Sequence, residues 1–409
     1  MRNRVLIFSL MSLFALSPVM EASARVLQQT PAPRSEQLHF PQPTGPFGVG
    51  KRSQLFTDPS RPETFTDDPA DVRQLPVTFY YPSRTLKSPQ PWLQGKTLEA
   101  LAQSSGLPLA VLSQLQGYSQ DGTPMAPGRF PLVILSHGMA STPFVNTTLA
   151  EELASQGFVV AAVTHPYSAL FAVLGDQVVF RTDGADLYPD PTLTDPVEQF
   201  LDRQQQYERV QEVWIKDLRF LIQKLPVASA VRNHVDARSI AVVGHSFGGV
   251  AALRVASEVQ AAINMDGGFG GGPLQDTLSH TPTLTTVSES TPREPEAIPP
   301  EMEPVRAQLE NMRIGRWLRI SQSPGYAAYL EFKGANHNSF TDLAVLNALI
   351  PPLAKHPAYA TGSADPLRTT ATLNRAVLAF LKSALKGQQP DLKSLNLEGV
   401  EVVEHLPQK

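Results

Sequence analysis

The stretch Ser239–Leu253, "SIAVVGHSFGGVAAL", governs how the rest of the chain is read. A short apolar run, Ile240–Val243, stops at Gly244-His245-Ser246-Phe247-Gly248, and small and apolar residues follow. The order is strand, sharp turn, helix. The turn matches G-x-S-x-G, the pattern that lifts a serine hydroxyl above the edge of a sheet. Gly244 and Gly248 let the backbone bend there without a Cβ clash. The helix that opens at the turn aims its N-terminus at the same place and favours developing negative charge. Ser246 is therefore read as a nucleophile rather than a serine that only closes a turn.

Outward from this segment, β-like runs alternate with helical patterns. The β-like runs are Val77–Tyr81, Leu132–Leu135, Phe158–Val163, Ile240–Val243, Ala261–Met265, Leu284–Val287 and Ala327–Phe332. Several are continuous apolar stretches, as expected of strands buried on both faces of a parallel sheet. Helical patterns cover Asn146–Gln156, Val197–Gln223, Gly248–Ser257, Glu303–Arg319 and Thr369–Lys386. The alternation predicts βαβ units and an α/β protein with a mostly parallel, doubly wound sheet flanked by helices.

A serine hydroxyl is a weak nucleophile until a base takes its proton. Four histidines lie downstream: His280, His337, His356 and His405. His337 is the candidate base, because "YLEFKGANHNSF" places it in a loop at a strand end, where it can face Ser246. His137 and His245 occupy motif positions that serve structure and are not taken as bases. The base needs a carboxylate to hold its tautomer. Asp266, closing "AAINMD", and Glu289, closing "TLTTVSE", both stand at strand ends and both give the chain order Ser, acid, His. The residues alone leave the two open, with Asp266 slightly ahead. An oxyanion hole is expected from backbone amides. Phe247, next to the nucleophile, supplies one. Met139, in the loop after the strand of "LVILSHGMAST", supplies the other.

Composition narrows the classes. The 409 residues are 42% hydrophobic, enough for a substantial core, and the formal charge of −4 offers no basic footprint for nucleic acid. The chain has no cysteine, so disulfides and thiolate chemistry are excluded. No metal-ligand cluster is visible in the sequence, and no cofactor or metal is expected. Arg2 and Arg4, the apolar Val5–Leu16 and the small-residue site Ala22-Ser23-Ala24 read as a signal peptide over residues 1–24, hence an exported protein, periplasmic or secreted. That apolar stretch is shorter than the ~20 residues a spanning helix needs. Residues 25–42, Pro- and Gln-rich, are expected to be a flexible segment, residues 43–388 the catalytic domain, and residues 389–409 a polar C-terminal tail. Two inserts are expected, at about 92–118 and 290–304. The first has the spacing of two short helices around Gly106-Leu107-Pro108, serving either ordinary packing or a lid or surface-docking role.

The chain resembles the platelet-activating-factor acetylhydrolase family (plasma-type and intracellular type II) of the α/β-hydrolase fold. The likeness runs through "PTGPFGVG" (Pro43–Gly50), "LPVTFYYPS" (Leu75–Ser83), "FPLVILSHGMAS", "ELASQGFVVAAVTHP" (Glu152–Pro166), "IAVVGHSFGG", "INMDGG" and "GANHNSF", roughly residues 43 to 385. It implies Ser246 as nucleophile, Asp266 rather than Glu289 as acid, His337 as base, and Met139 and Phe247 as oxyanion amides, with no metal. It further implies short-acyl ester hydrolysis, including the sn-2 position of phospholipids, with bacterial relatives resembling more general esterases. The 92–118 and 290–304 segments depart from the family. "LAVLNALIPPLAKH" (Leu343–His356) corresponds to a surface helix used at lipid interfaces, which implies peripheral contact with lipid; packing into the core is the other reading. The alternatives are a cutinase-like polyesterase or lipase on the same fold and, from another class, a non-catalytic binding protein on a hydrolase scaffold.

Overall fold

Continuous apolar runs can be buried on both faces only in the middle of a covered sheet, and that is where they lie in the computed structural model. It describes residues 38–84, 87–185, 187–268, 274–289 and 298–406. Among these, ten strands form the main sheet: β1 (Gly48–Pro62), β2 (Val72–Ser83), β3 (Ser119–Asp121), β4 (Phe130–Ser136), β5 (Val159–Val163), β6 (Val235–His245), β7 (Ala261–Met265), β8 (Thr283–Ser288), β9 (Ala327–Phe332) and β10 (Val400–His405). Their spatial order is β10-β9-β8-β7-β6-β4-β5-β2-β1-β3. The central neighbours from β9 to β5 pair in parallel, while β10, β2 and β1 add antiparallel pairings.

Helices cover both faces. On one side α3 (Thr147–Ser155) and α8 (Pro366–Ala384) bury Leu149, Leu153, Leu373 and Phe380 against Val133, Val243 and Ile263. On the other, α4 (Pro196–Ala228) and α5 (Phe247–Arg254) bury Trp214, Leu218, Leu221 and Ala251 against Leu132, Ile134 and Val242. Asp195 caps α4, accepting from the Val197 and Glu198 amides, both at 2.9 Å, as an N-cap aspartate should.

A third apolar cluster joins distant segments above the sheet. Helices α1 (Gly95–Ser105) and α2 (Leu109–Leu112) flank Gly106-Leu107-Pro108. They pack Leu101, Leu107 and Leu112 with Trp92 against Val345, Leu346 and Leu353, which belong to α7 (Leu343–Leu349) and the short helix after it. The apolar face of Leu343–His356 is thus turned toward the 92–118 segment.

Some expectations are corrected. Within the segment expected to be flexible, Leu38 and His39 pair with Leu115 and Gln116, and Phe40 is buried beside Trp92. An aromatic ring with an apolar partner within reach does not stay in solvent. The tail 389–409 contributes β10, which pairs along the whole of β9 at one edge of the sheet. Of the 290–304 insert, residues 290–297 lie outside the described residues. Ile298, Met302 and Val305 pack against Val197 and Phe200 of α4. The signal peptide and residues 25–37 also lie outside the described residues.

Candidate active site

Ser246 sits between the end of β6 and the start of α5 with φ 55° and ψ −120°, a backbone region that non-glycine residues rarely occupy. Two close approaches force the bend. A Cβ on Gly244 would lie 2.1 Å from the Gly248 carbonyl oxygen, and one on Gly248 would lie 2.4 Å from that of His137. The bend presents the hydroxyl to the loop after β9. There Asn336 caps the short helix His337–Phe340: its side chain accepts from the Asn338 amide at 3.1 Å, and Ser339 Oγ accepts from the Asn336 amide at 3.0 Å. The Asn336 and Asn338 side chains donate to the Ala360 carbonyl at 2.9 and 3.0 Å, pinning the loop from the other side.

His337 Nε2 lies 2.9 Å from Ser246 Oγ, and His337 Nδ1 lies 2.7 Å from Asp266 Oδ2. Asp266 is buried at the end of β7, and its Oδ1 accepts the Ser288 amide at 3.0 Å. The structure separates the two candidate acids. Glu289 turns away and accepts the Gly334 amide at 2.7 Å, so it holds a turn. Of the four downstream histidines, His337 is brought to Ser246. His280 is exposed, His356 accepts the Ala358 amide at 3.3 Å, and His405 pairs with Ala327 in the sheet.

Met139 and Phe247 flank the serine. Among the described residues, neither amide finds an acceptor in the protein. Gly138 brings the oxyanion loop close: a Cβ there would be 3.2 Å from Ser246 Cβ. His245 lies beneath the base, its ring 4.6 Å from that of His337, and its Nε2 donates to the His337 carbonyl at 3.1 Å. Burial, reinforced by the neighbouring His337, pushes the His245 imidazole down to about 3, so it is neutral. Sequence reasoning missed Ser288, Asn336, Asn338 and this use of His245. Only the asparagines left a signal, an N-x-x-S capping pattern around the histidine.

A cavity of about 220 Å³ opens on Ser246 and His337. Gly138–Thr142 and Leu170 form one wall, and the apolar cluster of Trp92, Leu101, Leu107, Leu343 and Leu346 forms the roof. Tyr359 Oη donates to the Ser105 carbonyl at 3.0 Å and links the two halves of that roof. Among the described residues, no Asp, Glu, Lys or Arg lines it. Among the described residues, no group of three or more His, Cys, Asp or Glu side chains could hold a metal ion, and no helix is long and apolar enough to cross a membrane.

Comparison with known proteins bears on the fold and the family. A solved structure of a ferulic acid esterase from Streptomyces cinnamoneus superposes with a TM-score of 0.68 at 27% identity, covering 90% of this chain and 100% of that one. The fold is that of the α/β-hydrolases. A platelet-activating factor acetylhydrolase of Canis lupus familiaris is 25% identical over 253 residues, 55% of this chain and 53% of that protein. One from Gallus gallus is 27% identical over 291 residues, 63% and 62% respectively. A probable 1-alkyl-2-acetylglycerophosphocholine esterase of Arthroderma benhamiae is 27% identical over 262 residues, 58% and 61%. The chain therefore spans little more than half the length of the curated relatives it matches. Residues 32–397 match the family model of platelet-activating factor acetylhydrolase, isoform II. This chain belongs to that family of ester hydrolases.

Proposed function

We propose that the protein is a serine carboxylic ester hydrolase working through Ser246, His337 and Asp266. The observation that carries the reading is the pair of hydrogen bonds at 2.9 and 2.7 Å running from Ser246 Oγ through His337 to Asp266, with the serine facing a largely apolar cavity. His337 Nδ1–H donates a hydrogen bond to the Asp266 carboxylate and keeps its proton, which leaves Nε2 free to take the proton of Ser246 Oγ as that oxygen attacks the ester carbonyl. The Met139 and Phe247 amides receive the oxyanion. The carbon–oxygen bond to the alcohol breaks, and the alcohol leaves with the proton from His337. Water, deprotonated by the same imidazole, then releases the acid and restores Ser246.

The cavity limits the substrate. An apolar cavity of about 150 Å³ holds one benzene ring, so about 220 Å³ suits a short acyl chain or a single aromatic ring. An uncharged lining favours an uncharged acyl group, with any charged alcohol portion, such as a phospholipid headgroup, left outside. Short acyl esters, including the sn-2 acetyl esters hydrolysed by the family, are the first reading. Small aryl esters are the second, favoured by the ring-sized cavity and the similarity to a ferulic acid esterase. Arg2, Arg4, the apolar Val5–Leu16 and Ala22-Ser23-Ala24 support export, which the mass of the mature N-terminus tests.

The deciding experiment is hydrolysis of p-nitrophenyl esters from acetyl to palmitoyl, with a feruloyl ester alongside and Ser246→Ala as control. Turnover peaking at two to four carbons and absent from Ser246→Ala is expected. A palmitoyl optimum would overturn the short-acyl reading, and undiminished turnover by Ser246→Ala would overturn the mechanism.

A further inference from the structure

A second Ser–His–Asp arrangement lies in the core. Ser136 Oγ is 3.0 Å from His165 Nε2, and His165 Nδ1 is 2.8 Å from Asp217 Oδ2. All three residues have no exposed surface. Asp217 also accepts from Arg73 Nε and Nη2 at 3.1 and 2.7 Å and from Arg61 Nη2 at 2.6 Å. The Trp214 ring lies flat on His165, at 3.9 Å and 12° between planes. No substrate reaches Ser136, so this is not a second active site.

Its effect is carried by the next links. The His165 backbone N–H donates to His137 Nε2 at 3.1 Å, and His137 Nδ1 donates to the Gly138 carbonyl at 2.7 Å. His137 must therefore be neutral with its proton on Nδ1, and its complete burial favours that state. The Gly138 carbonyl and the Met139 N–H belong to one planar trans peptide, so they point in opposite directions. Whatever holds the carbonyl aims the amide. The Ser141 amide holds the same carbonyl from a second side, at 3.2 Å.

We propose that Asp217, His165 and His137 form a buried chain of positioning residues that aims the Met139 amide at the oxyanion. The proposal rests on the reading of Ser246 and Met139 given above. Asp217, held by two arginines, fixes the tautomer and orientation of His165. Ser136 occupies the other ring nitrogen. His165, through its backbone, fixes His137, and His137 fixes the peptide. Donor placement matters because an oxyanion hole acts through prearranged geometry, and one lost donor costs about 10²–10³ in kcat.

The test compares full-length His137→Phe, His137→Asn and Ser136→Ala with wild type on p-nitrophenyl acetate. Ser246→Ala is the control, and each protein is checked by thermal melting. Phe keeps a ring but cannot donate, whereas the Asn amide restores an N–H near the position of Nδ1. We expect His137→Phe to lose about 10²–10³ in kcat with KM little changed. His137→Asn should recover at least tenfold of that, and Ser136→Ala should lose about fivefold, the worth of one neutral hydrogen bond. Inhibition by a boronic acid that adds to the serine should weaken in step with kcat/KM. A folded His137→Phe with wild-type kcat, a loss confined to KM, or an Asn variant no better than Phe overturns the proposal. If His137→Phe does not fold, Ser136→Ala decides: wild-type kcat overturns the chain, and a kcat loss at constant KM tracked by the boronic acid supports it. Undiminished activity in Ser246→Ala would instead overturn the reading of the nucleophile.

Discussion

Two Ser–His–Asp arrangements occupy one molecule, and their surroundings set them apart. In both, histidine Nε2 meets a serine hydroxyl and Nδ1 meets a carboxylate, at 2.9 and 2.7 Å beside the cavity and at 3.0 and 2.8 Å in the core. Ser246 sits on a strained turn at a helix N-terminus and lines a cavity, whereas Ser136 ends a strand with no exposed surface. Asp266 accepts a backbone amide, whereas Asp217 is locked by Arg61 and Arg73. In the proposed mechanism the imidazole beside the cavity takes the serine proton as attack occurs. The one under Trp214 is held neutral, chiefly by burial, even though Asp217 pulls the other way. Three residue types in the right order do not make a nucleophile. Access, backbone strain and a base free to charge do.

Substitutions should separate the two. Ser246→Ala and His337→Ala are expected to lose about 10⁶ in kcat, the scale for removing a triad serine or histidine, against about fivefold for Ser136→Ala. Steady-state kinetics on one ester measures both, and comparable losses would erase the distinction. Among acids, Asp266→Asn should lose about 10⁴, whereas Glu289→Gln, which removes only a turn contact, should stay within about threefold of wild type by the same assay. The reverse pattern would move the acid one strand over.

Stability should rank the acids the other way. Burial alone would raise the Asp217 carboxyl, but the Arg73 charge and the hydrogen bonds from His165 and Arg73 outweigh it and hold it below the usual carboxylate range. Asp217→Ala strips the buried Arg73 of its two-bond partner and leaves it the Glu63 carboxylate, at 2.9 Å, as counter-charge, and should cost about 3 kcal/mol in urea unfolding. Asp266→Ala, whose partner His337 stays partly exposed, should cost much less. Equal losses would mean that the core arrangement bears no more of the fold than the site does.

The smallest effect is on acid stability. His137 is held well below the ordinary histidine range, chiefly by burial and then by His165. Below pH ~6.5 the unfolded chain takes up a proton that the folded His137 refuses, so stability falls as pH falls, by up to about 1.4 kcal/mol per pH unit for this group. Urea midpoints from pH 7 to 5 should therefore drop more steeply for wild type than for His137→Asn. Parallel slopes would show that His137 can charge within the fold.

The sequence carried the catalytic side of this comparison better than the core side. Ile240–Val243 and its neighbours were readable because continuous apolar runs have few places to go but the interior of a parallel sheet, and the elbow because glycine spacing records a steric need. The strand Gly48–Pro62 escaped, since one face is exposed and its Lys, Arg and Asp residues hide the alternation. The strand Val400–His405, at an edge of the sheet, escaped because Val-Glu-Val-Val-Glu-His does not alternate strictly. From the residues alone Asp266 stood only slightly ahead of Glu289, because both close a strand; the sheet order sets β7, not β8, beside the serine's strand. The Asp217–His165 pairing left no local trace: a charged residue in the middle of a long helix reads as a solvent-facing one until the packing places it on the buried side.

The bond from Tyr359 to Ser105 joins residues 254 positions apart and ties down the roof over a serine that lies between them in sequence. On the function proposed above, that fixes when the chain becomes competent during synthesis. The serine, its strand and half of the roof emerge long before the base at His337 and the rest of the roof. A chain still being made carries the nucleophile without its proton acceptor or its acyl chamber. On that reading, hydrolytic competence waits for the C-terminal segments that close over the sheet.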